Sequence, residues 1–555
     1  MKFLADIFQR LERADDAIVL QEIHGQEITK ASGKELLELT AKAGRFLDAA
    51  SPRIHAGDRC ALLGPNSIRW AAADLALMSR GIIVVPLYAR QEPAELAAMV
   101  RDSGATAILC DGAQLRDAVL RSFPDAPAIF LFDEVFAHKP AESIHTDKAT
   151  AGGPVPLTII YTSGTSGEAK GVVLNDCNVD HMLACTTERL NQLMGPRNEP
   201  EQVFHWTPFN FAASWISLLS SLSRNSVVSL STDITKLADE IRIAAPNYFL
   251  NVPTLLERVR TKIEENIRGR GGWIANVFFK AKSAYLCRGT KEAKFSDIFW
   301  LKIAGALIFP TIRKGMGPNL KALICGSAPL SVETQNFFMM LGIQVLQAYG
   351  LTETTAICTM DDPARVEPGY VGHAIPGLEM KIDDNQEILV RGPNVFSGYW
   401  KRPEDTAKVL RDGWFHTGDQ GKMNERGNWK ITGRIKNLII LNSGHNVAPE
   451  PLEEDLTSLL PRAQQVVLVG NERSYLAAVI TTEPNSGLNE AAVSAALEKM
   501  NARLPHYRQI RAFHLERKPF TIESGLLTAN GKLRRDAVAA HLKSQIEELY
   551  RKRHA

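Results

Sequence analysis

The chain has 555 residues, 45% of them hydrophobic and 23% charged, with a formal net charge of +2. That length is too great for one compact core and implies two to four units at about 100–200 residues each. The composition is that of a soluble globular protein, and the near-neutral charge argues against a nucleic-acid binder. Seven scattered cysteines without C-x-x-C spacing indicate neither a disulfide framework nor a zinc site, so a reducing compartment is expected.

The opening stretch MKFLADIFQRLERADD is a short amphipathic pattern that lacks the apolar core and cleavage site of a signal peptide. No run reaches the roughly 18–20 apolar residues that span a bilayer. The expected location is cytoplasmic, with peripheral attachment to the inner face of the membrane as an addition.

From Arg59 the pattern alternates. It predicts a strand at Cys60 to Leu63, a helix from Ile68 to Ser79 capped by Ser67, a strand at Ile82 to Pro86, a helix from Pro93 to Asp102 and a strand at Ala105 to Cys110. Such alternation implies a parallel sheet covered by helices on both faces. Leu157 to Tyr161 and Gly171 to Leu174 read as two more strands, so Thr162 to Lys170 is the turn of a hairpin.

That turn, TSGTSGEAK, suits an anion. Gly164 and Gly167 allow close backbone approach, the hydroxyls of Thr162, Ser163, Thr165 and Ser166 can surround phosphate oxygens, and Lys170 brings charge. Its G-x-x-G-x-x-K spacing differs from the G-x-x-x-x-G-K-[ST] loop that opens a helix in nucleotide hydrolases. A flexible surface turn has the same composition.

The α/β rhythm returns with strands at Ser226 to Leu230 and Tyr248 to Asn251 around a helix from Ile234 to Ala244, and again with a strand in LKALICGSAPL. Residues 258–314 break it, with thirteen Lys/Arg against four Asp/Glu interleaved with Trp273, Phe278, Phe279, Tyr285, Phe295, Phe299 and Trp300. Basic residues among aromatics fit an anionic membrane surface, and a solvated helical insertion with core aromatics fits equally well. From Gly377 short strands and turns predict a smaller antiparallel unit, and a domain junction is expected near Lys436.

Six stretches then stand in a telling order: the Thr162 to Lys170 turn, GSAPL (326–330), YGLTETT (349–355), GWFHTGD (413–419), GRIKNLIILNSGHNVAPEPLE (433–453) and LLTANGKLRR (526–535). Together they resemble the adenylate-forming superfamily, which includes acyl-CoA synthetases, luciferases and peptide-synthetase adenylation domains, over about Arg59 to Arg535. VPTLLERV, the basic insertion and GLLTANGKLRR look most like long-chain fatty acyl-CoA synthetases.

The resemblance implies an α/β fold in which a large N-terminal domain (1–435) holds two related α/β halves plus a small β-barrel-like unit, followed by a small mobile α+β C-terminal domain (436–555). It implies a reaction in two halves: a carboxylic acid and ATP form acyl-AMP and pyrophosphate, then the thiol of CoA displaces AMP. Thr162 to Lys170 would hold the β- and γ-phosphates. Glu353 would link Mg²⁺, whose preference is for hard carboxylate oxygen, and Thr352 would bond the α-phosphate. Tyr349, followed by Gly350, would stack on adenine opposite Gly326, Ser327 and Ala328. Asp419 would take the ribose hydroxyls with Arg434 beside it, and Lys532 would meet the carboxylate and α-phosphate during adenylation.

Lys436 would be the hinge that exchanges Lys532 for Gly444, His445 and Asn446 on the CoA side. Read without the family, Glu353 is a solvated or capping residue, Tyr349 a core tyrosine, Asp419 a turn residue and Lys532 an exposed loop charge.

Two departures from the family pattern stand out. TPFNF replaces an L-P-L-x-H stretch, so Phe211 stands where many relatives have histidine, and Ala169 replaces a frequent proline. Trp206, Phe209, Phe211 and Trp215 are the expected acyl pocket, and half of them could equally be core. The acceptor is expected to be CoA, with a separate acyl carrier protein as the alternative. A non-catalytic protein that binds acyl chains or a membrane surface is the reading from another class.

Overall fold

A computed structural model of the chain describes residues 1–138, 154–163, 169–288, 295–521, 523–528 and 531–551. It divides into two compact units: Met1–Ser327, Gln335–Met380 and Val390–Phe415 form the first, and Ala328–Thr334, Lys381–Leu389 and His416–Ala555 the second.

The first unit is built on two largely parallel sheets. One has seven strands in the order 398–399, 169–175, 156–163, 83–88, 59–64, 107–110 and 128–131. Its strands from 156–163 to 128–131 are all parallel, while 169–175 closes an antiparallel hairpin. The other has nine strands in the order 373–374, 359–360, 344–349, 322–325, 248–251, 201–205, 226–231, 18–24 and 27–32, with antiparallel pairs only at its two edges. These are the two α/β halves that the alternating pattern implies.

Local chemistry explains why the elements start and stop where they do. The Ile68–Ser79 helix begins where the Ser67 side chain accepts from the Trp70 N–H, and the Pro93–Ser103 helix opens on proline and ends at Gly104 in the left-handed region. The 234–244 segment is split into a 3-10 turn, Ile234–Lys236, and a helix, Leu237–Ala244. Asp233 accepts from the Thr235 N–H and tightens that first turn.

The N-terminal segment takes a part that its own pattern does not announce. Lys2–Ala14 is a helix that buries Phe3, Leu4, Ile7, Phe8 and Leu11, and Ile18–His24 then joins the nine-stranded sheet beside 226–231, with Leu20 opposite Val228. Among the described residues the basic stretch forms the helices Pro253–Arg270, Gly272–Leu286, Phe295–Leu307 and Phe309–Met316.

A five-stranded sheet holds the short strands 379–382, 387–391, 410–411, 414–423 and 429–434. In the second unit, strands 465–469, 476–481 and 510–516 form a three-stranded sheet. Leu452 and Leu456 of the Pro449–Leu459 helix pack with Leu468, Leu476, Ile480, Val493 and Ile510 in its core. Among the described residues no helix is long and apolar enough to cross a membrane.

Candidate active site

In the first unit the hairpin strands Pro156–Ser163 and Ala169–Asn175 pair with Thr162 opposite Lys170 and Tyr161 opposite Gly171. Gly164, Thr165, Ser166 and Gly167 lie outside the described residues. Lys170 does not reach out alone: its Nζ is 2.9 Å from Asp405 Oδ2 and 5.3 Å from the centre of the Tyr399 ring. Hydrogen bonds from Lys170 and then Lys408 hold the Asp405 carboxyl down at about 2. The short strand Gly398–Tyr399 is stitched to the hairpin opposite Val172 and Val173, and the Trp400 N–H donates to the Gly171 carbonyl at 2.7 Å.

Tyr399 therefore stands beside the 156–175 hairpin and points its hydroxyl at the YGLTETT turn, where it donates to Glu353 Oε1 at 2.9 Å. Burial, and then the Glu353 charge, push the phenol well above its usual range, so it remains a donor. The Phe396 N–H donates to the backbone carbonyl of Glu353 at 2.8 Å.

The turn itself is tight and strained. Strand Gln344–Tyr349 runs into a 3-10 turn at Thr352–Thr354, and Thr355 and Ala356 both have positive φ, 52° and 92°. Side chains are disfavoured there, so surrounding bonds must hold the conformation. Buried Asn394 does so: its Nδ2 donates to the carbonyls of Thr354 at 3.0 Å and Ile357 at 2.9 Å, and its own carbonyl accepts from Thr355 Oγ1 at 2.7 Å. Gly350 is required by space, since a Cβ there would sit 2.1 Å from the Ala356 carbonyl oxygen.

Strand Ala322–Cys325 is the parallel neighbour of Gln344–Tyr349, with Cys325 opposite Gln347. Gly326 and Tyr349 thus emerge at the carboxyl edge of adjacent strands, where open α/β sheets receive ligands. A Cβ on Gly326 would lie 3.0 Å from the Ala348 carbonyl oxygen, and Ser327 is held at φ 72°. Tyr349, Thr352 and Glu353 are half-buried, and Ser327 and Ala328 are exposed.

In the second unit, Asp419 and Arg434 are direct cross-strand partners, and Arg434 Nε lies 2.8 Å from Asp419 Oδ1. The carboxylate is 2% exposed and the guanidinium 38%. One end of the pair therefore stays accessible. The preceding turn is locked by Glu387, which accepts from the Gly418 N–H at 2.7 Å and lies 3.0 Å from His416 Nδ1. Asp383, Glu387 and His416 come together here. Asp383 accepts from the backbone N–H of Asn385 and Glu387, so this group ties the turn that presents Asp419.

Exposed Lys436 sits in the 3-10 turn Ile435–Asn437 immediately after Arg434. The hairpin that follows pairs Ile439–Ile440 with Asn446–Val447 and carries Gly444 at φ 81°, exposed. His445 stacks on Tyr507 with ring centres 4.3 Å apart. Exposed Lys532 closes a turn in which its N–H donates to Thr528 Oγ1 at 3.1 Å and its carbonyl accepts from the Thr528 N–H at 2.7 Å.

The four aromatic positions of the expected acyl pocket separate in burial. Phe209 packs on Trp70 at 4.9 Å, and fully buried Trp215 donates its indole N–H to Asp74 at 2.8 Å. Both belong to the packed interior. Trp206, bonded to the Leu250 carbonyl at 3.0 Å, and Phe211, 6.5 Å from Tyr88, are only half-buried. His205 is buried against Ser214 at 2.7 Å, and desolvation lowers it to about 4, so it stays neutral.

Sequence reasoning did not single out Tyr399, Asn394 or Asp405. Asn394 and Tyr399 fall in the stretch GPNVFSGYW, within the run of short strands and turns from Gly377, and Asp405 lies beyond it in KRPEDT.

Residues 7–400 match the family of AMP-binding enzymes, and residues 436–554 match the AMP-binding enzyme C-terminal domain. Among similar proteins, the long-chain-fatty-acid–CoA ligase FadD15 of Mycobacterium tuberculosis is 27% identical over 90% of this chain and 89% of its own. The chloroplastic long-chain-fatty-acid–[acyl-carrier-protein] ligase AEE15 of Arabidopsis thaliana is 28% identical over 90% of this chain and 80% of its own. The fold is that of the anthranilate CoA ligase AuaEII, solved with anthranoyl-AMP (TM-score 0.75, 17% identity, 98% of both chains). It is also that of the A-PCP didomain of a carboxylic acid reductase from Segniliparus rugosus, solved with AMP (TM-score 0.79, 22% identity, 99% of this chain and 82% of that one).

Proposed function

The chain belongs to the AMP-binding enzyme family and is an adenylate-forming acid–thiol ligase resembling long-chain acyl-CoA synthetases; from that footing we propose that it activates medium- or long-chain fatty acids and transfers them to CoA. In the first half a carboxylate oxygen bonds to the α-phosphorus of ATP as the bond to the β-phosphate bridge breaks and pyrophosphate leaves. In the second the CoA sulfur bonds to the acyl carbon and AMP leaves. The product is acyl-CoA.

The observation that carries this reading is Tyr399. One side chain lies against the Lys170 cation with its ring and holds the Glu353 carboxylate with its hydroxyl, so a phosphate-binding cation and a hard anionic ligand are kept side by side. A polyphosphate with a divalent cation needs that pairing of charges. In the proposed assignment residues 162–170 embrace the β- and γ-phosphates, and Asp405 holds Lys170 until the nucleotide arrives.

Thr352 would donate to the α-phosphate, Tyr349 would face adenine across from Gly326 to Ala328, and Asp419 would accept from the ribose with Arg434 beside it. Lys532 would offset the charge that builds when two anions meet, an effect realised mainly in the transition state. For Mg²⁺ the residues fit: Glu353 is a half-buried carboxylate anchored through Oε1, a hard oxygen ligand of the kind this ion takes alongside phosphates and water. Mg²⁺ bound there would neutralise phosphate charge.

Lys436 is assigned as the hinge between an adenylating and a thiolating arrangement, with 1–435 and 436–555 as the domains it joins. Gly444, whose positive φ suits the hairpin turn, and His445 and Asn446 would border the pantetheine arm. Half-buried Trp206 and Phe211 are the retained acyl-pocket candidates. A separate acyl carrier protein is a second acceptor, favoured by the likeness to a ligase named for that partner. Contact with the inner face of a membrane fits an acid that partitions into lipid.

The test is pyrophosphate release from ATP and Mg²⁺ over a ladder of carboxylic acids, with and without CoA. Release that peaks with long acids, where each buried CH₂ contributes about 0.8 kcal/mol, and turns over only with CoA is expected. A peak on short or aromatic acids overturns the substrate, and release indifferent to CoA favours the carrier protein.

A further inference from the structure

Lys532 is exposed, yet the turn that carries it is anchored on both sides. Leu527 bridges to Leu533, the Arg534 N–H donates to the Leu526 carbonyl at 2.9 Å, and Leu526 packs with Val467, Val479 and Val538 inside the second unit. Three residues past the lysine, Arg535 opens the helix Arg535–His541. Its guanidinium forks onto a single carboxylate: Nη1 donates to Glu453 Oε1 at 2.7 Å, and Nη2 donates to Glu453 Oε2. Glu453 is 8% exposed, and its Oε1 also accepts from the Leu468 N–H at 2.7 Å. Burial raises this carboxyl, against the hydrogen bonding from Arg535.

An ion pair in such a place is a poor source of stability, since desolvation offsets most of its attraction and well-packed apolar residues would hold the helix as firmly. What a forked guanidinium supplies instead is orientation, because two parallel bonds fix both distance and angle.

Glu453 belongs to the helix Pro449–Leu459, and Glu450 stands three residues earlier on the same face. Glu450 Oε1 accepts from Asn437 Nδ2 at 2.6 Å, and Arg535 Nη2 lies 4.0 Å from the same oxygen. Asn437 directly follows Lys436 in the Ile435–Asn437 turn. One helix face therefore grips the turn of Lys436 through Glu450 and the turn of Lys532 through Glu453, with Arg535 beside both carboxylates.

We propose that Arg535 and Glu453 are positioning residues for Lys532, tying its turn to the helix whose Glu450 holds the Lys436 turn. The inference rests on the adenylating role assigned to Lys532. An ammonium that meets charge in the transition state works best when it is already in place, and a displacement of about 1 Å costs on the order of 100-fold in rate. Glu450 extends the tie to the assigned hinge, so a backbone change at Lys436 is passed to Lys532 through one rigid helix.

The experiment measures the two half-reactions separately on the full chain: pyrophosphate release from ATP, Mg²⁺ and a fatty acid, and thioester formation from supplied acyl-AMP and CoA. Arg535→Lys keeps the charge and removes the fork, whereas Glu453→Gln keeps the shape and removes the charge. All assays are run below the melting temperature of every variant, with Lys532→Ala beside them, and if Glu453→Gln fails to fold, Arg535→Lys carries the test alone. In Arg535→Lys the rate constant for pyrophosphate release should fall roughly 10- to 100-fold with half-saturating ATP nearly unchanged, as for a contact made only in the transition state, while the thioester step keeps its rate. Glu453→Gln should show the same split. Adding Arg535→Lys to Lys532→Ala should lower adenylation no further, because nothing is left to position.

Equal loss in both half-reactions, or a further loss in the double variant, makes the pair purely structural and overturns the proposal. So does an unchanged adenylation rate in Arg535→Lys. Adenylation that survives Lys532→Ala overturns the assignment of Lys532 itself, and the proposal with it.

Discussion

Removing one oxygen from Tyr399 tests the proposed site most directly. Tyr399→Phe keeps the ring, its contact with Phe396 at 4.9 Å and its face toward Lys170 at 5.3 Å, and deletes only the 2.9 Å hydrogen bond to Glu353. A hydrogen bond to a charged group contributes about 1.5–3 kcal/mol. Glu353 is half-buried, and water can partly replace the lost donor, so the lower end applies. About 1.4 kcal/mol is tenfold in an equilibrium constant, and loss of groups that orient metal ligands typically costs 10- to 100-fold, about the same scale.

The assay is initial-rate pyrophosphate release at saturating acid while Mg²⁺ is titrated at fixed ATP, with a thermal melt of the same preparation. The expected result is a roughly tenfold rise in half-saturating Mg²⁺ with a melting temperature close to that of the unaltered chain. A melting shift with an unchanged Mg²⁺ curve would assign Tyr399 to packing and sink the reasoning. So would no change in either.

Three further outcomes are expected. Lys532→Ala should lose acyl-AMP formation yet convert supplied acyl-AMP to thioester, and equal loss of both halves would remove Lys532 from its assigned role. Gly350→Ala forces a Cβ to within 2.1 Å of the Ala356 carbonyl oxygen, so the turn must shift; about 1–3 kcal/mol of stability should go with most of the adenylation activity, and a near-normal variant would show that the turn yields easily.

The third concerns pH. Burial raises Asp74 and Asp361 from 3.8 to about 7, against hydrogen bonds from Trp215 and the Gln347 N–H. Between about pH 4 and 7 the folded chain holds protons that the unfolded chain has released, so stability should fall as pH rises through that window. Asp74→Asn should flatten part of the slope and melt higher than the parent at pH 8. A parent melting temperature that climbs from pH 5 to 8 would contradict it.

How much of this was open to sequence reading follows from the range over which each interaction acts. The Ser67 cap, the Pro93 start and the hairpin around Thr162 to Lys170 depend on residues a few positions apart, so their chemistry is written locally. The motif order was likewise legible, because each stretch is contiguous in the chain. What no local pattern could supply was who stands beside whom. Glu353 meets Tyr399 across 46 residues, and Asn394 clamps Thr354 across 40.

Lys170 finds Asp405 only because strand Gly398–Tyr399 pairs with the hairpin and sets the following helix, Pro403–Val409, in reach. The same holds for Ile18–His24, whose place as a strand beside Ser226–Ser231 was not read from the sequence at all. It also holds for the aromatics of the insertion, since composition names Phe278 and Phe299 alike and packing alone buries the one and exposes the other. Turn and cap chemistry is settled within a few residues by the backbone's own hydrogen-bonding needs, whereas sheet order and burial are settled by chain segments that meet only when the whole unit closes.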